Sequence, residues 1–435
     1  MWKQETPSVS STPHERRRRL RLAAYACAIV AIAGMTGAMS ELARANAMRA
    51  ESRYVDLRAV PDSVLRRPRV VVLEVDRDEL NEIIAHPGQR GRHWERVGRV
   101  AFLSDGRLTF ESPVGVRVHG GSSRYLPVKS LRLFFRPSLG ATRPTSAEVG
   151  LEGDATYETL ILHGDVRPDT GGMEFHYANP VSYAIAQRLG ISTAATVPSS
   201  VVINGGQPLP YVTSEQLNPA LLRARLGSDS AIIYNLRDVR DKERLRTEGP
   251  LAELHERFGQ TSTWTMEQVG EVVDVENLIN WFLSVVFCGT RDIAQGTLVH
   301  DPARAGAQWF WIGWDYDMSF GRLDDPGGGR AEDFHMKWLF SPVRAPDPDA
   351  RAVILRHLFR TSASFRERFA RRFVVARDSL VTARFLDGTL STFERAATDN
   401  GITDRRYQMV MRDFLTRRSA VLTRQLQAQL STDLP

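Results

Sequence analysis

The sequence predicts an α+β protein of two lobes, β-rich toward the N-terminus and largely helical toward the C-terminus. Three observations lead there. Residues 70–135 carry short β-branched runs separated by turn signals. Residues 274–289 and 349–434 carry helical patterns. Between those helical stretches lies one pair of apolar strand-like runs, 297–301 and 307–315. At 435 residues, with 42% apolar and 25% charged side chains, the chain has the size and composition of an ordinary globular protein.

The formal charge of +6 is concentrated at the start, where Arg16, Arg17, Arg18, Arg19 and Arg21 precede the apolar run 22–39. Without that cluster the chain is nearly neutral, and no basic patch with interleaved aromatics follows, so nucleic acid is not an expected partner. A basic flank before an apolar stretch of this length predicts a cytoplasmic segment, 1–19, and a transmembrane signal anchor, 20–40, with the remainder outside the membrane. A cleaved signal peptide also fits, since Ala43 and Ala45 form a small-x-small site. Either way the expected location is extracytoplasmic, at the cell membrane or secreted. Cys27 and Cys288 are the only cysteines, which excludes a disulfide framework and a thiolate metal site in the exported part.

Residues 41–67 are polar and Arg-rich and read as a linker. The folded body then spans 68–435, divided into an N-lobe of about 68–150 and a C-lobe of about 151–435. VVVLEV (70–75) predicts a strand, and DRDELNEIIAHPG (76–88) a helix stopped by Pro-Gly. Asp105-Gly106 predicts a hairpin, followed by the strands VGVRVHG and SLRLFF. ETLILHG (158–164) predicts a strand, HYANPVSYAIAQRLG (176–190) an amphipathic helix, and residues 195–217 a hairpin turning at Asn204-Gly205. DVENLINWFLSVVFCG (274–289) predicts a buried helix capped by Asp274.

Three constellations bear chemistry. In HGGSSRYLPVKS, Gly120 and Gly121 follow a strand, and Ser122, Ser123 and Arg124 add donors suited to phosphate oxygens, with Lys129 as a point charge nearby. A plain Gly-Ser hairpin has the same composition. In GTRDIAQG, Asp292 follows the buried helix and suits a proton acceptor or metal ligand, with Gln295 as a neutral oxygen donor; an Asx turn explains Asp292 equally well. In GWDYDMSFG, Trp314, Asp315 and Asp317 emerge at the end of a strand buried on both faces. Acids two apart on a strand share a side, so Asp315 and Asp317 suit one magnesium or manganese ion, unless they merely cap the strand or pair with arginine. His119, His163 and His176 lack zinc-ligand spacing. No G-x-S-x-G elbow is present.

In this order, the GGSSR loop, the Lys129 strand, the NG hairpin with Tyr211 and Glu215, the isolated Asp292 and the WDxDxSFG end resemble the CotH family, the spore-coat-protein-H-like atypical protein kinases. The resemblance spans about residues 70–325. It implies an atypical protein-kinase-like fold binding ATP and Mg²⁺ or Mn²⁺ between its lobes. It places Gly120, Gly121, Ser122, Ser123, Arg124 and Lys129 at the phosphates and Tyr211 and Trp314 on either side of adenine. Asp292 becomes the catalytic acid, and Asp315, with Gln295 and Asp317, the metal side. Glu215 becomes a partner for Lys129. The implied reaction moves the γ-phosphate of ATP to Ser/Thr of a protein or envelope component. The family usually has asparagine shortly after the catalytic aspartate, where this chain offers Gln295, and this departure keeps a catalytically inactive nucleotide-binding or structural surface protein open as the alternative.

Overall fold

The computed structural model describes residues 52–164, 166–169, 172–175, 177–235, 264–290, 296–320, 350–399 and 406–430. Strand β1 (Arg69–Val75) leads into helix α1 (Arg77–Ala85), whose N-cap Asp76 accepts from the Asp78 and Glu79 amides. Then come β2 (Arg96–Ser104), β3 (Arg107–Val118), β4 (Leu131–Phe134) and β5 (Thr159–His163). A two-stranded ribbon, β6 (Val166–Asp169) and β7 (Gly172–Phe175), precedes helix α2 (Ala178–Arg188). Strands β8 (Thr196–Ile203) and β9 (Leu209–Glu215) and helix α3 (Pro219–Leu226) follow.

Seven of these strands close a barrel in the order β1-β2-β3-β4-β5-β9-β8. All its pairs are antiparallel except β1 with β8, whose parallel register sets Leu73 beside Ile203. The two NG/DG turns behave as their sequence predicts. Asp105 and Gly106 have φ of 48° and 72°, and Asn204 and Gly205 have 50° and 67°, the left-handed pair that a tight hairpin needs. Asn204 does more than turn the chain: its side chain accepts from the Val75 amide and its own amide donates to the Leu73 carbonyl, which seals β8 to β1.

Two expected boundaries move. The barrel takes β5, β8 and β9 from beyond residue 150, so its sheet does not stop at a division there. Closure demands it, because an open β1–β4 sheet would leave edge strands unpaired. Residues 55–65, expected in a linker, instead bury Val55, Leu57, Val60, Val64 and Leu65 against Val70, Val72, Ala101 and Val202, the face of β1, β2 and β8 opposite to Val71 and Leu73. Ser52 and the Arg53 amide tie this segment to the Glu111 carboxylate.

A second sheet, β10 (Ile232–Asn235), β11 (Thr297–His300) and β12 (Trp309–Ile312), is antiparallel, with β11 in the middle. Helix α4 (Val275–Cys288) is capped by Asp274 as predicted. It buries Trp281, Phe282, Leu283 and Phe287, each contributing about 1.5–3 kcal/mol of burial. The helices α6 (Ala363–Val375) and α8 (Arg406–Leu430) pack on it, with α5 (Ala350–Thr361) packed on α6 and α7 (Ala383–Asp399) on α8. Phe287 stacks on Phe373 of α6, and the buried Arg418 of α8 donates to the Val286 carbonyl at 2.7 Å. The apolar run 22–39 lies outside the described residues; among these, no helix is long and apolar enough to cross a membrane.

Gly289 ends α4 at φ 61°, and a Cβ there would sit 2.5 Å from the Phe414 ring of α8. Gly289→Ala is therefore expected to cost about 2 kcal/mol, combining left-handed strain with overpacking, measured by chemical denaturation.

Candidate active site

The barrel contributes one group of the predicted residues. Gly120 has φ 111°, and a Cβ on it would run into the Ser123 hydroxyl, so this position requires glycine. Gly121 leads into a single 3-10 turn, Ser122–Tyr125. Arg124, expected to face phosphate, is buried. Its Nε donates to the Gly120 carbonyl at 2.7 Å, and its Nη1 to the carbonyls of Pro87 (2.7 Å) and Gln89 (3.1 Å). It holds the glycine turn against the segment after α1. Desolvation, and then Arg90 and Arg117, lower its pKa to about 10.

Lys129 stands just before β4, and its Nζ donates to the Leu126 carbonyl at 2.6 Å. Tyr211 of β9 is buried beside it: its hydroxyl donates to the Lys129 carbonyl at 3.0 Å, and burial pushes its pKa up. The glycine turn and the lysine are stitched together by the His119 amide, which donates to the Ser130 carbonyl. His119 Nδ1 lies 2.9 Å from Arg132 Nη2. A guanidinium only donates, so that ring nitrogen accepts, and desolvation with neighbouring Arg132 holds the imidazole well below its usual pKa.

Glu215 corrects one expectation. It does not pair with Lys129. Its fully buried carboxylate receives Arg225 Nη2 at 2.7 and 2.6 Å, the Tyr157 hydroxyl at 2.8 Å and the Ala195 amide at 2.7 Å. The cause is reach: Glu215 ends β9, beside the chain entering β8 and below α3, and the arginine of α3 arrives first. Arg225 also donates to the Thr193 carbonyl, and the neighbouring Ser192 carbonyl receives the Gly313 amide. The carboxylate thus braces the barrel to the GWDYD segment.

That segment carries the second group. Strand β12 ends at Ile312, earlier than expected, so Asp315 and Asp317 lie in the turn beyond it rather than on a shared strand face. Asp315 adopts φ 62°, a left-handed conformation that aspartate tolerates better than most residues. Its amide donates to the hydroxyl of Tyr183, on α2, at 3.1 Å. The Tyr183 ring stacks on Trp314, with centroids 6.5 Å apart and planes at 27°, so Trp314 has Tyr183 rather than Tyr211 as its aromatic neighbour among the described residues. Burial first, then the charge of Asp315 and, more weakly, of Asp317, keeps the Tyr183 hydroxyl protonated.

Helix α4 holds this segment at three levels. Asn277 exchanges two hydrogen bonds with the Trp311 backbone (2.7 and 3.1 Å), the Ser284 and Tyr316 hydroxyls meet at 3.0 Å, and the Phe320 amide donates to the Cys288 carbonyl at 3.0 Å. Asp292 and Gln295 lie outside the described residues, as does His176. Among the described residues no group of three or more His, Cys, Asp or Glu side chains could by itself hold a metal. The carboxylates of Asp315 and Asp317 are nonetheless the hard oxygen donors that magnesium or manganese takes. Tyr183 and Arg225 had no sequence signal; each is an ordinary helical residue until the chain folds.

A profile of the CotH kinase protein family matches residues 116–398, more than half of the chain. The chain belongs to the CotH kinase family. It is a kinase-like protein with a closed seven-stranded barrel and a helical C-terminal part. The match starts within β3 and runs to the end of α7, so it begins later and ends later than the motif resemblance, leaving β1 and β2 outside although they complete the barrel. Comparison with curated proteins finds no match. A solved structure titled "Crystal structure of the golgi casein kinase" aligns at 11% identity over 73% of this chain and 75% of that one, with a TM-score of 0.34, too loose a superposition to argue from.

Two outcomes follow from this geometry. Glu215→Ala leaves Arg225 and the Tyr157 hydroxyl without their acceptor and is expected to cost about 3 kcal/mol, read from denaturant unfolding. His119 has a lowered folded pKa, so on acidification the unfolded chain takes up its proton first. Stability should fall as pH drops through about 6.5. The slope of melting temperature between pH 7.5 and 5.5 should flatten in His119→Gln.

Proposed function

We propose that this CotH family member transfers the γ-phosphate of ATP to a Ser/Thr hydroxyl of a protein or envelope component. The nucleotide lies between a barrel lobe and a helical lobe, and the 20–40 segment anchors an extracytoplasmic domain. One observation carries this reading: the C-terminal half of α4 holds the Asp315–Asp317 turn, through the Ser284 and Tyr316 hydroxyls and the Cys288 carbonyl, and Asp292 follows Cys288 by four residues in the sequence. The metal-side acids are thus held by one helix, and phosphoryl transfer asks mainly for such positioning and charge neutralisation.

In this scheme Asp292 accepts the proton of the incoming hydroxyl as its oxygen bonds to the γ-phosphorus and the bond to the β-phosphate oxygen breaks, releasing ADP. Asp315, supported by Asp317 and Gln295, holds Mg²⁺ or Mn²⁺, which neutralises charge on the phosphates when bound. Lys129 exchanges its hold on the Leu126 carbonyl for a phosphate oxygen, and the Gly120–Gly121 turn with Ser122, Ser123 and Arg124 shapes the phosphate side. Trp314 offers a π-face to the base, backed by Tyr183.

The second reading, a pseudokinase that binds nucleotide or serves as a structural surface protein, is favoured by two specific features. Glu215 is committed to Arg225 rather than to the lysine, and Gln295 stands where the family usually has asparagine.

Incubation of the full-length chain with labelled ATP and Mn²⁺ or Mg²⁺ separates them. The kinase reading expects autophosphorylation that drops at least about a hundredfold in Asp292→Ala and in Asp315→Ala. Metal-dependent ATP binding without label transfer supports the pseudokinase, and absence of any nucleotide-induced thermal shift overturns both. Tyr183→Phe removes the hydroxyl that holds the Asp315 amide, so Mn²⁺ affinity in the presence of ATP should weaken several-fold by calorimetric titration while the fold is retained.

A further inference from the structure

Arg117 of β3 and Arg132 of β4 are direct partners in the antiparallel register. They alternate with Val116, Val118, Leu131 and Leu133, which fill the core, so both arginines leave the opposite face of the sheet. Like charges placed directly opposite each other on paired strands repel. Here the crowding is greater still, because the guanidiniums of Arg117, Arg132 and Arg136 all lie over the Phe134 ring, at 4.7, 5.9 and 4.7 Å from its centroid.

The charge on this face is poorly answered. Two carboxylates answer it among the described residues: Glu95 is taken by Arg136 in a two-pronged pair of 2.7 and 2.8 Å, and Glu158, which acts on Arg136 more weakly, is paired with Arg143 at 2.6 Å. Arg90 adds a fourth positive charge from the exposed segment after α1, and Arg124 a fifth beneath it. Arg132 keeps a buried Nε without an acceptor, although its Nη2 reaches His119. Its pKa falls to about 10, through desolvation first and then Arg117, Arg124 and Arg90. A fold that spends stability on mutually repelling, partly desolvated guanidiniums with a donor left over presents the complement of an oxyanion. Guanidinium is the group that binds phosphate oxygens with two parallel donors.

We propose that this face of β3–β4, rimmed by the segment after α1 and the Gly120–Tyr125 turn, binds a phosphate-type oxyanion through Arg117, Arg132 and Arg90. The site lies on the face opposite the core that receives Tyr211, and it stands whether or not the chain turns over ATP. The phosphate arrives either as a free polyphosphate or as the tail of a nucleotide.

The test is titration of the full-length chain, metal-free and at constant ionic strength, with inorganic phosphate, tripolyphosphate and ATP in separate arms, read by thermal shift and calorimetry against chloride. Tripolyphosphate is expected to stabilise the wild type beyond chloride. Arg117→Gln/Arg132→Gln should lose about tenfold or more in affinity and melt higher than wild type without ligand, as the repulsion is relieved. Arg90→Gln, at an exposed position that leaves the fold intact, should weaken binding by a smaller factor. Metal-free ATP binding that falls in parallel with tripolyphosphate in these variants identifies a nucleotide tail as the source, whereas loss confined to phosphate and tripolyphosphate identifies the free anion. Stabilisation no greater than in chloride, or binding unchanged in both Arg90→Gln and Arg117→Gln/Arg132→Gln, overturns the proposal.

Discussion

Helix α4 is the member on which the candidate site hangs. Its side chains and its last carbonyl grip the 309–320 segment at Asn277, Ser284 and Cys288, positions spaced along one helix, so β12 and the turn beyond it are laid parallel to a rigid rod. A two-hydrogen-bond clasp from one asparagine to the Trp311 backbone fixes the register, because shifting the strand by one residue would break both bonds and turn its apolar side chains around. The helix itself is immobilised by what surrounds it, including Arg418 from α8 bonded to the Val286 carbonyl, and Gly289, where the chain leaves the helix pressed against Phe414.

The connection from this rod to the barrel runs through Glu215. A fully buried carboxylate is costly unless its acceptor sites are filled, and four contacts from Arg225, Tyr157 and the Ala195 amide fill them. The same arginine holds the Thr193 carbonyl, one residue from the carbonyl that receives Gly313. Removing the charge would therefore disturb a junction as well as a pair. This is a different use of the glutamate from the lysine partnership that kinase logic suggests. Lys129 is left anchored to its own loop, with Tyr211 bonded to its carbonyl below.

Electrostatics on the barrel point the same way as its geometry. Arginines are concentrated beside the glycine turn, one of them consumed in bracing that turn, and Glu95, with Glu158 more weakly, offsets the rest. The acids of the GWDYD turn, by contrast, gather on the α4 side around Tyr183.

Much of the architecture was legible in local patterns. The DG and NG turns, the helix after β1, the Asp274 cap and the continuous apolar run of α4 each follow from short-range chemistry and formed as read, and β12 formed within its longer predicted run. Closure of β8 and β9 onto β1 and β5, the burial of residues 55–65, and the strand β10 were not legible, because pairing between distant segments leaves no periodicity of its own. The site divides in the same manner. The sequence alone singled out Gly120, Lys129, Glu215, Trp314 and Asp315 by type and order. Only the tertiary structure decided that Glu215 goes to Arg225, that Arg124 is spent on a loop, and that Tyr183 stands behind Trp314 and Asp315. The reason is physical: a side chain's identity states which partners it can accept, whereas which of them comes within 3 Å is settled by how helices and strands far apart in the chain are packed together.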